Sequence, residues 1–244
     1  MITSIQNSQV KKWKKLHTKK ERVKTGLFLV EGFHLIEEAK QSNWEITEII
    51  IREDVDVPTW CEDQLIHIVS EAVFQHIAQT NTPQGIMGVI KVKEWARFTG
   101  NHVILIDRIQ DPGNLGTIIR TADAAGFSAV ILGKGTVDLY NDKVIRATQG
   151  SLFHIPILQA ELIDEISELK REGFSIWATA LEDSTKYTEL EVPKKVVLVL
   201  GNEGSGIDEG ILHVADSVVN IPIYGKAESL NVSIAAGILM YYLR

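Results

Sequence analysis

Val197-Leu-Val-Leu-Gly-Asn-Glu-Gly-Ser-Gly-Ile207 decides how this chain is read. A run of four apolar residues before a glycine-rich loop predicts a buried strand of a parallel sheet. It empties into Gly201-Asn202-Glu203-Gly204-Ser205-Gly206, a loop with few side chains to keep a ligand from the backbone. Two other segments share the form. Ile221-Pro-Ile-Tyr-Gly-Lys-Ala-Glu-Ser-Leu-Asn-Val-Ser233 runs from a strand through a loop into an apolar helix. Asp107-Arg-Ile-Gln-Asp-Pro-Gly-Asn-Leu-Gly-Thr-Ile-Ile-Arg120 does the same upstream. Such loops predict one composite pocket at the carboxyl ends of parallel strands, where open α/β sheets take their ligands.

Around these segments strands alternate with helices. Val103–Ile106, Ala129–Leu132, Phe153–Ile157, Ser175–Ala178, Val196–Leu200 and Ser217–Ile221 read as strands. Asn114–Ala125, Asp142–Gln149, Leu162–Arg171 and Val232–Leu243 read as helices, with Asn114 as an N-cap and Gly126 as the residue ending that helix. The fold class is α/β, with a mostly parallel sheet covered on both faces across residues 102–244. Residues 1–95 read as a separate small α/β domain, because Lys93–Asn101 breaks the pattern. It starts with one basic helix from Gln9 to about Lys24, marked by Trp13 and Leu16.

The 244-residue chain is 45% apolar, and no apolar run approaches the roughly 20 residues that span a bilayer. Its polar start shows no signal-peptide pattern. Its single cysteine, Cys61, can form neither an internal disulfide nor a zinc site. A cytoplasmic protein without a metal centre is expected. The formal charge is −7, yet residues 1–24 hold eight Lys or Arg against Glu21 alone, a local +7 that leaves −14 on the rest. Lys11, Lys12, Lys14, Lys15, Lys19, Lys20 and Arg22 are the candidate phosphate contacts. A solvated basic helix face is the plainer alternative.

Within the loops, Gly116 permits close approach at the first turn of a helix, and Arg120 lies one turn further on. Taken alone, Arg120 is an ordinary surface cation, Glu203 a solvated carboxylate, and Ser229 and Asn231 are helix-capping residues. The glycines around Glu203 lack both the dinucleotide-binding spacing and the Gly-Lys-Ser/Thr of a phosphate loop.

Together the three segments resemble the signature motifs of the SpoU/TrmH family of RNA ribose 2′-O-methyltransferases, in the SPOUT class. The resemblance covers residues 102–244, and residues 1–95 look like the substrate-binding domain that often precedes it. It implies a deep trefoil knot, S-adenosylmethionine as methyl donor, a homodimer and an RNA substrate, with ribosomal RNA favoured over transfer RNA by analogy. It assigns Asn114, Arg120, Glu203, Ser229 and Asn231 to the catalytic neighbourhood. Gly201, Ile221 and Leu230 match donor contacts, with Thr179, Ala180, Leu200, Asn202 and Ile223 as neighbours. Arg120 is either the general base, as the family idea holds, or a cation that stabilises the developing alkoxide; arginine is a poor base near neutrality. The rival reading is a non-catalytic RNA-binding protein that retains the fold.

Overall fold

A computed structural model describes residues 1–244. The chain divides into two compact units, one made of Met1–Lys93 with Asp138–Phe153 and the other of Glu94–Val137 with His154–Arg244. Asp138–Phe153 therefore groups with the first unit, although it falls within the span that sequence allots to the second domain.

The first unit holds helices α1 (Ser8–Lys15), α2 (Lys19–Thr25), α3 (Phe33–Gln41) and α4 (Glu71–Ile77). Its strands β1 (Leu27–Glu31), β2 (Ile46–Arg52), β3 (Ile66–Val69) and β4 (Ile86–Lys91) pair in the order β1-β4-β2-β3. The expected single basic helix is two. Leu16 ends α1, and Thr18 opens α2 by accepting the Glu21 N–H, the Thr-x-x-Glu pattern of a new helix start.

Nor is the segment a free arm. Val10, Trp13 and Leu16 join Ile50, Val73, Phe74, Ile77 and Met87 in the core of this unit. Gln9 Nε2 and Trp13 Nε1 both donate to Glu48 Oε2, at 2.8 and 3.0 Å. The inserted segment completes the unit. Phe28 packs against Tyr140 with ring centroids 4.5 Å apart, and Trp44 Nε1 donates to the Phe153 carbonyl at 3.0 Å. Helix α6 (Asp142–Thr148) belongs here, and α5 (Pro112–Ala124), which precedes it in the chain, is in the second unit.

The second unit is a seven-stranded sheet in which every pair is parallel. Its strands are β5 (His102–Ile106), β6 (Ala129–Gly133), β7 (Ile157–Ala160), β8 (Ser175–Thr179), β9 (Thr185–Lys186), β10 (Val196–Leu200) and β11 (Ser217–Asn220). The order is β7-β6-β5-β10-β8-β11-β9. All five residues of β10 are buried, as an unbroken apolar run between two parallel neighbours requires. Helices α5 (Pro112–Ala124), α7 (Leu162–Arg171), α8 (Glu209–Val214) and α9 (Val232–Tyr242) complete the unit.

Two local expectations are corrected. Asp111, not Asn114, caps α5, with Pro112 in the first turn where its missing N–H costs nothing. The strand expected over Phe153–Ile157 begins instead at Ile157, after a short 3₁₀ turn at Ser151–Phe153. Helix α8 and the two-residue β9 carry too short a pattern to be read from sequence. Gly126 does end α5. It is left-handed (φ 68°), and the N–H groups of Gly126 and Phe127 reach back to Asp123 and Ala122.

Candidate active site

The three glycine-rich segments leave the carboxyl ends of β5, β10 and β11. β5 lies beside β10, and β8 joins β10 to β11, so the loops converge along one edge of the sheet. A cleft of about 790 Å³ opens beside the loops after β8, β10 and β11; no residue of the β5 loop lines it, so the pocket expected from three loops is built without the first. Its wall includes Thr179 and Ala180 from the end of β8, Gly201–Ile207 after β10, Ile221 and Ile223 after β11, and Glu228–Val232 leading into α9.

The loop after β10 is closed on itself. Asn202 and Gly206 exchange both backbone hydrogen bonds at 3.0 Å, and Gly206 is left-handed (φ 71°). A Cβ on Gly201 would lie 2.5 Å from the Gly206 and Ile207 backbone, so this turn admits only glycine there. The Asn202 side chain is consumed by the loops. Its Oδ1 accepts the N–H groups of Gly204 and Ser205 at 2.9 Å, and its Nδ2 donates to the Arg108 carbonyl at 2.8 Å.

Glu203 fastens this loop to the one after β5. Its Oε1 accepts the Asp111 N–H and Asn114 Nδ2, each at 3.0 Å, and its Oε2 accepts the Gln110 N–H at 3.1 Å. Burial pushes the Glu203 carboxyl up, but the hydrogen bonds from Asn114, Gln110 and Asp111 outweigh it and hold the group below the usual carboxylate range. The third loop joins through Asn231, which donates from Nδ2 to Asn114 Oδ1 at 2.9 Å. Asn231 also caps α9, its Oδ1 accepting the Ser233 N–H at 2.9 Å. A continuous chain, Asn231 to Asn114 to Glu203, thus links all three loops.

Of the residues singled out from sequence, Asn114, Glu203 and Asn231 meet in this chain, and Ser229 lines the cleft beside it. Gly201, Asn202, Ile221, Ile223, Leu230, Thr179 and Ala180 are on the cleft wall. Leu200 is not; it is 1% exposed inside β10, where it pairs with Ile106. Arg120 is exposed on α5, is not on the wall, and its side chain takes part in no hydrogen bond or ion pair. Of the basic residues, Arg22 is buried: its Nη2 meets Asp138 Oδ2 at 2.7 Å and its Nη1 donates to the Leu16 carbonyl at 2.8 Å, which leaves it unable to reach a phosphate. Lys14 Nζ donates to the His76 carbonyl at 2.6 Å, while Lys11, Lys12, Lys15, Lys19 and Lys20 are exposed. Sequence reading missed Gln110 and Asp111 as loop anchors, although Asp before Pro-Gly is a cap signature that could have marked Asp111.

A parallel sheet with a cleft at the carboxyl ends of its strands is the arrangement of an α/β enzyme that binds a small ligand there. The chain belongs to the SpoU rRNA Methylase family, whose model matches residues 101–241. Residues 7–88 match the MRM3-like substrate binding domain. The chain is 47% identical over 244 residues to the Bacillus subtilis (strain 168) 23S rRNA (guanosine(2553)-2′-O)-methyltransferase RlmP, covering 100% of this chain and 98% of that one. The AdoMet-bound rRNA methyltransferase of Sinorhizobium meliloti superposes with a TM-score of 0.89 at 35% identity, over 100% of this chain and 96% of that one. A solved RNA 2′-O ribose methyltransferase gives a TM-score of 0.85 at 31% identity, over 98% and 96% of the two chains.

The methyl donor of the family is S-adenosylmethionine, and the cleft suits it. Its volume falls within the roughly 300–1,000 Å³ of small-molecule sites. Ile221, Ile223 and Leu230 offer apolar surface for an adenine ring. Glu182 and Glu228 on the wall add negative charge around a ligand that carries a sulfonium and an ammonium.

Proposed function

We propose that this enzyme methylates a ribose 2′-hydroxyl of large-subunit ribosomal RNA. The observation that carries the reading is the Asn231–Asn114–Glu203 chain at the edge of the cleft, in a protein 47% identical to a 23S rRNA 2′-O-methyltransferase. When bound, S-adenosylmethionine supplies a methyl group on a cationic sulfur. The protein must present a 2′-oxygen in line with that group and manage its proton. Positioning alone can remove roughly 7–11 kcal/mol of barrier when the geometry is right. Glu203 spends its oxygens on the β5 loop, so its role is to fix Asn114 and the loop, not to take the substrate proton.

Arg120 is the residue assigned to the developing alkoxide. Its exposure and lack of a partner support that role, since no carboxylate competes for the guanidinium. The exposed Lys11, Lys12, Lys15, Lys19 and Lys20 hold RNA phosphate, which fixes position without reading sequence.

The working form is a homodimer in the cytoplasm. Ile234, Ile238 and Tyr241 recur along one side of α9 and are 56, 38 and 61% exposed, while Ala236, Leu239 and Met240 on the other side are buried. A second copy would cover that apolar stripe. Ribose-methylation mapping across total RNA from cells with and without this gene tests the substrate. One large-subunit site should lose its mark; loss confined to transfer RNA would overturn the assignment.

A further inference from the structure

Arg108 is where the first loop leaves β5, and its backbone is left-handed, with φ 58°. Glycine adopts that conformation freely, whereas any side chain disfavours it. The neighbouring carboxylate holds it there. Asp107 is 5% exposed, and its oxygens accept Arg108 Nε at 3.0 Å and Nη2 at 3.1 Å. Asp107 Oδ2 also accepts the N–H of Asp208, the cap of α8, at 2.8 Å.

The turn aims the Arg108 carbonyl at the neighbouring loop, where it accepts Asn202 Nδ2 at 2.8 Å. Within three residues the Gln110 and Asp111 N–H groups reach Glu203. Neither Asp107 nor Arg108 lines the cleft itself.

We propose that Asp107 and Arg108 are positioning residues for methyl transfer: their two-pronged pair holds the left-handed turn that sets Gln110, Asp111 and Asn114 on Glu203. The arrangement uses the bent backbone, not the exposed charge. The guanidinium already faces two carboxylates, since Asp208 Oδ2 lies 3.8 Å from Nη2, so an incoming phosphate would have to compete with both. The catalytic consequence rests on the methyltransferase reading; the structural one does not.

The test compares Arg108→Gly with Arg108→Ala in the full chain. Glycine takes the turn without help, and alanine has neither the freedom nor the pair. Amide hydrogen exchange at Gln110 and Asp111 reads the turn directly. In Arg108→Ala both amides should exchange about tenfold faster and kcat should fall about tenfold, the size expected when a strained turn loses its support. Donor affinity by calorimetry should stay within about twofold, as no wall residue changes. Arg108→Gly should hold exchange and kcat within about threefold of the parent. Asp107→Asn should behave like Arg108→Ala and be rescued by adding Arg108→Gly.

If folded Arg108→Gly is as impaired as Arg108→Ala, the guanidinium itself is what matters and the proposal fails. It fails equally if both variants match the parent. A parent with no methyl transfer would overturn the methyltransferase reading alone, because the exchange rates still decide the turn.

Discussion

Asn231 Nδ2 donates to Asn114 Oδ1 at 2.9 Å, across 117 positions of sequence. The direction is forced. Glu203 can only accept, so Asn114 must turn its Nδ2 to the carboxylate and its Oδ1 to Asn231. Asn231 then uses its own oxygen to cap α9. One amide therefore starts the last helix and fixes the donor-side loop to the loop of Asn114.

Replacing Asn231 separates these duties. Asn231→Asp keeps an acceptor for the Ser233 N–H but turns a carboxylate toward Asn114 Oδ1. It should melt within a few degrees of the parent and lose about tenfold or more in kcat. Asn231→Ala should also lose stability, by about 1 kcal/mol for the cap. Thermal melting and turnover, measured on both variants, check the split.

Acid should dissolve the site before alkali does. The folded carboxyl of Glu203 is held below the usual range, so its stabilisation is complete above the free glutamate value of about 4.3 and is lost as pH falls through the lowered folded value. The loop amides of Gln110 and Asp111 should stay protected from exchange between pH 5 and 8, a window set by that direction of shift. In Glu203→Gln an NH₂ group faces one of these backbone donors, and protection should fall at every pH, with turnover down about tenfold or more.

Arg120→Ala should abolish methyl transfer while leaving donor affinity nearly unchanged, because Arg120 is not on the cleft wall. Arg120→Lys should also be inactive, since an ammonium does not reproduce the planar fork. Calorimetry with S-adenosylmethionine beside a transfer assay checks both; lost donor binding in a folded variant would put Arg120 in the wrong subsite.

The basic residues of the first unit should divide by burial. Changing Lys11, Lys12, Lys15 and Lys19 to Glu should keep the melting temperature within a few degrees and remove RNA binding. If the parent uses four such contacts, its log affinity should fall with log salt at a slope of about −3 to −4. Arg22→Ala should instead destabilise by about 1–3 kcal/mol, as it leaves the Leu16 carbonyl and Asp138 Oδ2 without their partner. Deleting residues 1–24 cannot test charge, because it also removes Val10, Trp13 and Leu16 from the core.

Much of this was legible in the chain. The apolar runs of β5, β6, β8 and β10 announce a parallel sheet, and residues that follow β8 and β10 are among those lining the cleft. What escaped depends on partners far along the sequence. Arg22 reads as a phosphate contact until Asp138, 116 positions away, is seen to hold it. Asn114 reads as a cap until Asp111 takes that place and frees its amide for Glu203. Asp138–Phe153 reads as part of the second domain because its packing on Phe28 and Trp44 leaves no local pattern.

The central claim is tested most directly by incubating the protein with methyl-labelled S-adenosylmethionine and unmodified 23S ribosomal RNA, then digesting the RNA to nucleosides. The label should appear in a single 2′-O-methylated nucleoside and disappear with Asn114→Ala, a variant that cuts the link between Asn231 and Glu203. Label on a base, or none in RNA despite tight donor binding, would contradict the account.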